Sequence, residues 1–215
     1  VQTKMIEYPS IINSAKAPRK PCIAFDKLDG SNIRVKYTTK EGFCLFGSRT
    51  QLIDASHPHL GGVVSAFKRT HEEVLTEIFK DTFSDERELV AYGEYVGNKS
   101  FAGIHDPTDP SLRFVLFDVL VGHKNEKFLL PQEFLKLFAG KVEIPTVIYR
   151  GNLNDALILD VREGRYPVNE GIICKGTERS GAFRGGVWMA KIKTKAYLDR
   201  VFARYGQEGL KQYGE

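Results

Sequence analysis

Apolar and polar positions along this chain fall into two rhythms, one of period two and one of three to four, and the alternation between them separates strands from helices. Cys22-Ile23-Ala24-Phe25 is a short unbroken apolar run, as in a buried strand. Downstream, Ile33, Val35 and Tyr37 alternate with Arg34 and Lys36, as in a strand with one buried face. The residues between, Asp26-Lys27-Leu28-Asp29-Gly30-Ser31-Asn32, read as the turn of a hairpin with Lys27 at a strand end. Gly42 to Gly47 reads as a third strand that runs into Ser48-Arg49-Thr50. Leu89 to Gly97 is strand-like and carries a carboxylate, Glu94, among apolar and aromatic neighbours. Arg113 to Val121 is an apolar run interrupted by one acid, Asp118, directly after Phe117, and an acid so placed requires a donor or cation beside it. In Asn169-Glu170-Gly171-Ile172-Ile173-Cys174-Lys175 an acid and a glycine open a strand, and a polar, glycine-rich hairpin loop from Gly176 to Gly186 follows it. The next strand, Val187 to Lys193, ends with Lys191 and Lys193 on one side.

The helical rhythm appears from Gly62 to Phe79, where Val63, Val64, Phe67, Val74, Leu75 and Ile78 recur at spacings of three and four and predict one amphipathic helix. A short helix is expected over residues 130–138, with Pro131 in its first turn and Gly140 beyond its end, and another over 154–161 behind an Asn154 cap. The last stretch places Tyr197, Leu198, Val201, Phe202 and Tyr205 on one helical face. Residues 1–20, with Pro9 and Pro18, read as a lead-in loop anchored near Tyr8-Pro9-Ser10-Ile11, and no chemistry is assigned to them.

A chain of 215 residues that is 42% apolar supports one substantial core, and the formal charge of +4 leans toward an anionic partner such as a nucleotide or nucleic acid. Cys22, Cys44 and Cys174 are far apart in sequence, which suggests neither a disulfide framework nor a zinc knuckle and fits a reducing cytosol. His57 and His59 flank Pro58 without nearby carboxylates and read as loop. No apolar run is long enough to span a bilayer, and there is no signal-peptide pattern. The chain begins at Val1 rather than Met, which points to a trimmed terminus.

The candidate chemistry is then an amine at a strand end (Lys27), two separated carboxylates at strands (Glu94, Glu170), an aromatic beside an acid (Phe117), an arginine (Arg49) and a lysine pair (Lys191, Lys193). Phosphoryl transfer uses this mixture: carboxylates hold Mg²⁺, cations neutralise phosphate oxygens, a ring stacks on a base, and an amine attacks phosphorus in line.

In order and residue type, Lys27-Leu28-Asp29-Gly30, Ser48-Arg49-Thr50, Gly93-Glu94, Phe114 to Val119, Glu170-Gly171-Ile172-Ile173 and Lys191-Ile192-Lys193 resemble the covalent nucleotidyltransferase superfamily of polynucleotide ligases and mRNA capping enzymes. The resemblance implies an α+β fold, an ATP-grasp-like ligase domain of antiparallel sheets flanked by helices with the nucleotide pocket between the sheets. It implies that Lys27 takes AMP from ATP as a phosphoramidate. Arg49 and Glu94 would contact the ribose, and Phe117 would stack on the base. Glu170 would organise Mg²⁺ (or Mn²⁺), with Glu94 a second candidate ligand, while Lys191 and Lys193 would grip the α-phosphate. Asp26, Asp29, Asn32 and Arg34 of the first stretch count with the nucleotide-binding residues. DNA ligases and capping enzymes commonly carry arginine two residues after the glycine, whereas nick-sealing RNA ligases have Gly-Thr-Asn or Gly-Ser-Asn. Gly30-Ser31-Asn32 therefore favours an ATP-dependent RNA ligase acting on RNA ends, with DNA ligase, GTP-using capping enzyme and non-catalytic RNA-binding module as the alternatives. Only residues 194–215 follow the last lysine motif, too few for the second domain that such enzymes usually add, so a single nucleotidyltransferase domain over 1–215 is expected.

Overall fold

The structure, a computed structural model, describes residues 5–122 and 126–214. In chain order the first elements are β1 (Ile12–Asn13), β2 (Pro21–Lys27), β3 (Ser31–Thr38), β4 (Gly42–Gly47) and β5 (Leu52–Ile53). Helices α1 (Gly62–Thr70) and α2 (Glu72–Thr82) come next, followed by β6 (Glu88–Val96), β7 (Arg113–Val121), β8 (Lys127–Phe128) and α3 (Pro131–Phe138). The chain closes with β9 (Val147–Asn152), α4 (Asp155–Arg162), β10 (Gly171–Gly176), β11 (Met189–Lys193) and α5 (Lys195–Tyr213). Of the described residues, one compact unit takes 5–9, 30–129 and 133–144, and a second takes 10–29, 130–132 and 145–214.

The first unit is built on a sheet of order β5-β4-β3-β6-β7-β8 in which every pairing is antiparallel. The period-two pattern read on β3 determines its two faces. Ile33, Val35 and Tyr37 are buried with Leu89 and Ala91 of β6 against Phe67 of α1, Leu75 and Phe79 of α2 and Phe134 and Phe138 of α3. Between Tyr92 and Gly93 the register against β7 shifts: Asp118 pairs with Tyr92 and Leu116 with Gly93, so Phe117 is the extra residue of a β-bulge.

The second unit has a sheet of order β1-β11-β10-β2-β9, antiparallel except for the short β1–β11 pair, which is parallel. Its core joins Cys22 and Ala24 of β2, Ile172 and Cys174 of β10 and Ala190 and Ile192 of β11 to Leu157 and Val161 of α4. Asn154 caps α4 as expected, its side chain accepting from Leu157 N at 2.8 Å. Cys22 and Cys174, 152 residues apart in sequence, lie on the same face of neighbouring strands as free thiols, and the hydrogen bond that Cys174 gives to Cys22, with burial, pushes the Cys174 thiol up.

Three expectations are corrected. The Lys27 stretch is not a hairpin: β2 pairs with β10 and β9, β3 pairs with β4 and β6, and the two strands belong to different sheets. Each finds long partners distant in sequence, which local turn chemistry does not reveal. The helix read over 62–79 is broken at His71, whose φ of −127° is non-helical. Its ring is buried, stacked on Phe67 at 5.9 Å and edge-on to Phe114 at 5.0 Å. The apolar spacing continues across the break, so it read as one helix. In α5, Phe202 is half exposed rather than part of the buried face formed by Tyr197 and Val201.

Candidate active site

In the second unit the sheet register places Lys27, Gly171 and Lys193 in one row across β2, β10 and β11. Glycine occupies the middle of that row because a Cβ there would lie 2.0 Å from Ile192 O and 2.8 Å from Lys193 Cα. The preceding residue, Glu170, is buried, and its Oε1 lies 2.8 Å from Lys27 Nζ and 2.6 Å from Lys193 Nζ. Thr194 holds this carboxylate's backbone, donating N–H to Glu170 O at 2.9 Å and its hydroxyl to Asn169 O at 3.0 Å. The same hydroxyl oxygen caps α5 by accepting from Tyr197 N at 3.1 Å. Burial lowers the Lys193 pKa, aided by the charges of Lys27 and Lys191 and opposed by Glu170.

Tyr197 extends the cluster, its ring 4.8 Å from Lys193 Nζ and its hydroxyl donating to Asp29 Oδ1 at 3.4 Å. Burial raises its pKa well above the ordinary tyrosine value, with Glu170 and Asp29 adding to the effect. Asp26 is also raised, by burial and by Glu170, and its Oδ1 is buried without a hydrogen-bond partner. Lys191 and Lys193 project from one face of β11, as the sequence predicted, and donate to the last carbonyls of α5: Lys191 Nζ to Gly214 O at 3.1 Å, and Lys193 Nζ to Tyr213 O.

In the first unit, Asn32 and Glu94 sit directly opposite each other on β3 and β6, as do Arg34 and Tyr92, while Asp118 lies opposite Tyr92 on β7. These residues share the face away from that unit's core. Asn32 Oδ1 is buried without a hydrogen-bond partner. Gly30 is pressed against the same strands: a Cβ would lie 2.3 Å from Tyr95 O and 2.9 Å from Glu94 Cγ.

The donor demanded by Asp118 is Tyr8, whose hydroxyl reaches Oδ2 at 2.8 Å. Tyr8 also packs edge-on to Phe117 with ring centroids 5.0 Å apart, so it fixes both residues of the bulge. The lead-in segment is held at two further points, Arg34 Nη1 donating to Met5 O at 2.8 Å and Tyr92 Oη to Ile6 O at 2.9 Å. Arg34, which the sequence reading grouped with the nucleotide residues, thus bonds main-chain carbonyls, the second being Ser48 O at 2.8 Å from Nε. It anchors the turn that carries Arg49, itself exposed. Tyr8→Phe keeps the ring and removes the hydrogen bond to Asp118 Oδ2. It is expected to destabilise the protein by about 1–3 kcal/mol, the cost of losing a donor to a buried carboxylate, read from the urea unfolding midpoint.

Tyr8 and Tyr197 are the site residues that sequence reasoning missed. Tyr8 reads as part of a loop anchor and Tyr197 as a helix-face aromatic, and a phenol's polar partner is not visible in apolar spacing. His57 is loop as expected: its Nδ1 accepts from Leu60 N at 3.1 Å. Among the described residues no three His, Cys, Asp or Glu gather to hold a metal.

The model of the RNA ligase family matches residues 20–193, from the start of β2 through both motif lysines of β11. The chain belongs to the RNA ligase family. Solved structures of Naegleria gruberi RNA ligase share the fold of this RNA ligase family chain: a ligand-free mutant (17% identity, TM-score 0.66, 91% of this chain and 58% of that one) and a mutant with ATP and Mn (19%, 0.65, 91% and 58%). The form with PPi aligns at 18% identity and a TM-score of 0.65 over 93% and 59% of the two chains. The family chain therefore spans about 58% of the length of these relatives, and the expected nucleotidyltransferase-type α+β fold is the one found. No curated protein matches it. No helix among its described residues is long and apolar enough to cross a membrane.

Proposed function

We propose that this chain carries the nucleotidyl-transfer chemistry of an ATP-dependent RNA ligase. The observation that carries the reading is the pair of amines on one buried carboxylate oxygen: Lys27 and Lys193 both on Glu170 Oε1, with Lys191 on the same strand face as Lys193. Such an arrangement holds one amine for attack and keeps two more cations for phosphate oxygens.

In the first step the Lys27 nitrogen attacks the α-phosphorus of ATP. A P–N bond forms, the bond to the bridging oxygen breaks, pyrophosphate leaves, and the amine loses a proton. In the second, a 5′-phosphate oxygen of RNA displaces Lys27 and takes the AMP. In the third, a 3′-hydroxyl attacks the activated 5′-phosphate, sealing the strand and releasing AMP. Lys191 and Lys193 exchange their carbonyl partners for α-phosphate oxygens. Glu94 and Arg49 bind the ribose, and Phe117, held in its bulge by Tyr8, offers a face to the base.

The side chains suit a hard divalent cation. Glu170 is a carboxylate, and Asp26 in the same unit holds a buried oxygen with no hydrogen-bond partner. With no protein-only cage among the described residues, Glu170 would hold Mg²⁺ or Mn²⁺ together with substrate phosphates. Such an ion would spread the charge that develops on the phosphates.

The test is incubation of the protein with each nucleoside triphosphate and Mg²⁺, followed by intact-mass measurement. A covalent AMP is expected from ATP alone. A GMP adduct would move the chain to capping-type chemistry, and no adduct with any triphosphate would leave a binding module. Supplying the adenylated protein with RNA and DNA nicks decides the polynucleotide. RNA is expected to be sealed, more weakly as salt rises.

A further inference from the structure

The segment between β6 and β7 folds back on the start of β3. Phe101 and Ile104 close a two-residue turn, Phe101 N donating to Ile104 O at 3.1 Å and Ile104 N to Phe101 O at 3.0 Å. Both central residues have positive φ, 50° at Ala102 and 74° at Gly103. Ala102 is buried and is the one non-glycine among the described residues in that conformation, so the surrounding structure imposes it.

The turn aims Gly103 O at Ser31, whose hydroxyl donates to it at 3.2 Å. His105 approaches the same hydroxyl with Nε2 at 2.8 Å, while its Nδ1 lies 2.8 Å from Ser100 Oγ, which accepts from Gly97 N at 2.8 Å. With the Ser31 hydroxyl donating to Gly103 O, Nε2 must carry a hydrogen and donate to Ser31. Nδ1 is then bare and accepts from Ser100, whose remaining lone pair faces Gly97 N–H. The chain of bonds runs one way, from Gly97 N–H to Gly103 O, through a neutral imidazole. Burial lowers the His105 pKa, which favours the neutral ring.

The relay ends one residue before Asn32, whose carboxamide faces Glu94 across the ladder with a buried oxygen left without a hydrogen-bond partner. Gly30, on the other side of Ser31, has no room to shift toward Tyr95. We infer that His105 is a positioning residue for nucleotidyl transfer: through Ser31 it fixes where β3 begins and so holds Asn32 in register with Glu94 for the nucleotide. This rests on the ligase reading above.

The test follows adduct formation from ATP at saturating concentration by intact mass, for His105→Asn, His105→Gln, Ser31→Ala and the His105→Asn/Ser31→Ala double variant, with a thermal melt of each. Asparagine supplies an acceptor near Nδ1 but no donor near Nε2, and glutamine supplies the donor. His105→Asn and Ser31→Ala are each expected to slow the step by about tenfold or more, since small misplacements near the reacting groups are costly, with half-saturating ATP changed less than the rate. His105→Gln should stay within about threefold of the wild type, and the double variant should be no slower than either single one, as members of one chain of bonds behave. Ser31→Ala deletes one hydroxyl at a strand start, so it reads the relay even if a His105 variant melts early. A wild-type rate in Ser31→Ala, a His105→Gln as slow as His105→Asn, or multiplied losses in the double variant would each overturn the relay. Wild-type protein that takes up no nucleotide would overturn the ligase reading and the relay's role with it.

Discussion

Lys27→Ala protein given ATP and a divalent cation is expected to gain no nucleotide mass, however long the incubation. No neighbouring lysine substitutes as nucleophile: Lys193 Nζ is buried, sharing the Glu170 oxygen and bonded to Tyr213 O, and Lys191 Nζ is bonded to Gly214 O. Lys27→Arg should be equally inert, because a guanidinium keeps the charge on Glu170 but has no neutral amine to offer. The alanine variant should still fold. The Lys27 side chain is 22% exposed at a strand end, and its loss leaves Glu170 paired with Lys193, so the urea midpoint should correspond to a change of about 1 kcal/mol or less. An adduct that survived in either variant would remove Lys27 from the chemistry.

Glu170→Ala should lose both function and stability, and the two losses can be separated. Removing this carboxylate takes away the charge that buried Lys193 and its neighbour Lys27 both bond, and breaking a buried pair from one side costs about 3–5 kcal/mol. Adduct formation should fall by about 100-fold or more, since the amine loses the group that places it. In Glu170→Leu/Lys193→Met both members of the buried pair are gone and much of the stability should return, as apolar replacements of buried ion pairs show. Activity should not return with it. Recovery of both would mean that Glu170 serves only to support the fold. The measurements are urea unfolding and single-turnover adduct formation on the same preparations.

The motif residues were legible because they stand at strand ends and on strand faces, where period-two spacing decides direction. Lys191 and Lys193 on one side, a lone acid in β7 needing a donor, and a glycine opening β10 were all readable and all hold. Partnership across long sequence separations was not. Tyr8 and Asp118 are 110 residues apart, Tyr197 and Asp29 168, and Ser31 and His105 74, and no local pattern couples such pairs. The false hairpin has the same origin. Lys27 and Ser31 look like the two sides of one turn until their strands find partners elsewhere. Arg34 counts with the nucleotide-binding residues by its place in the first stretch, and only the fold reveals that it bonds two main-chain carbonyls.

Helix α5 breaks its regular conformation at Gly206, where φ is +62°, and its final residues Tyr213 and Gly214 meet the β11 lysines. In the proposed nucleotide site, the first rival of an incoming oxyanion would thus be the polypeptide itself. The tightness of a triphosphate at those two ammonium groups would be a surplus over oxygens already seated there, and loosening these contacts would sharpen apparent affinity without altering one residue that the ligand touches.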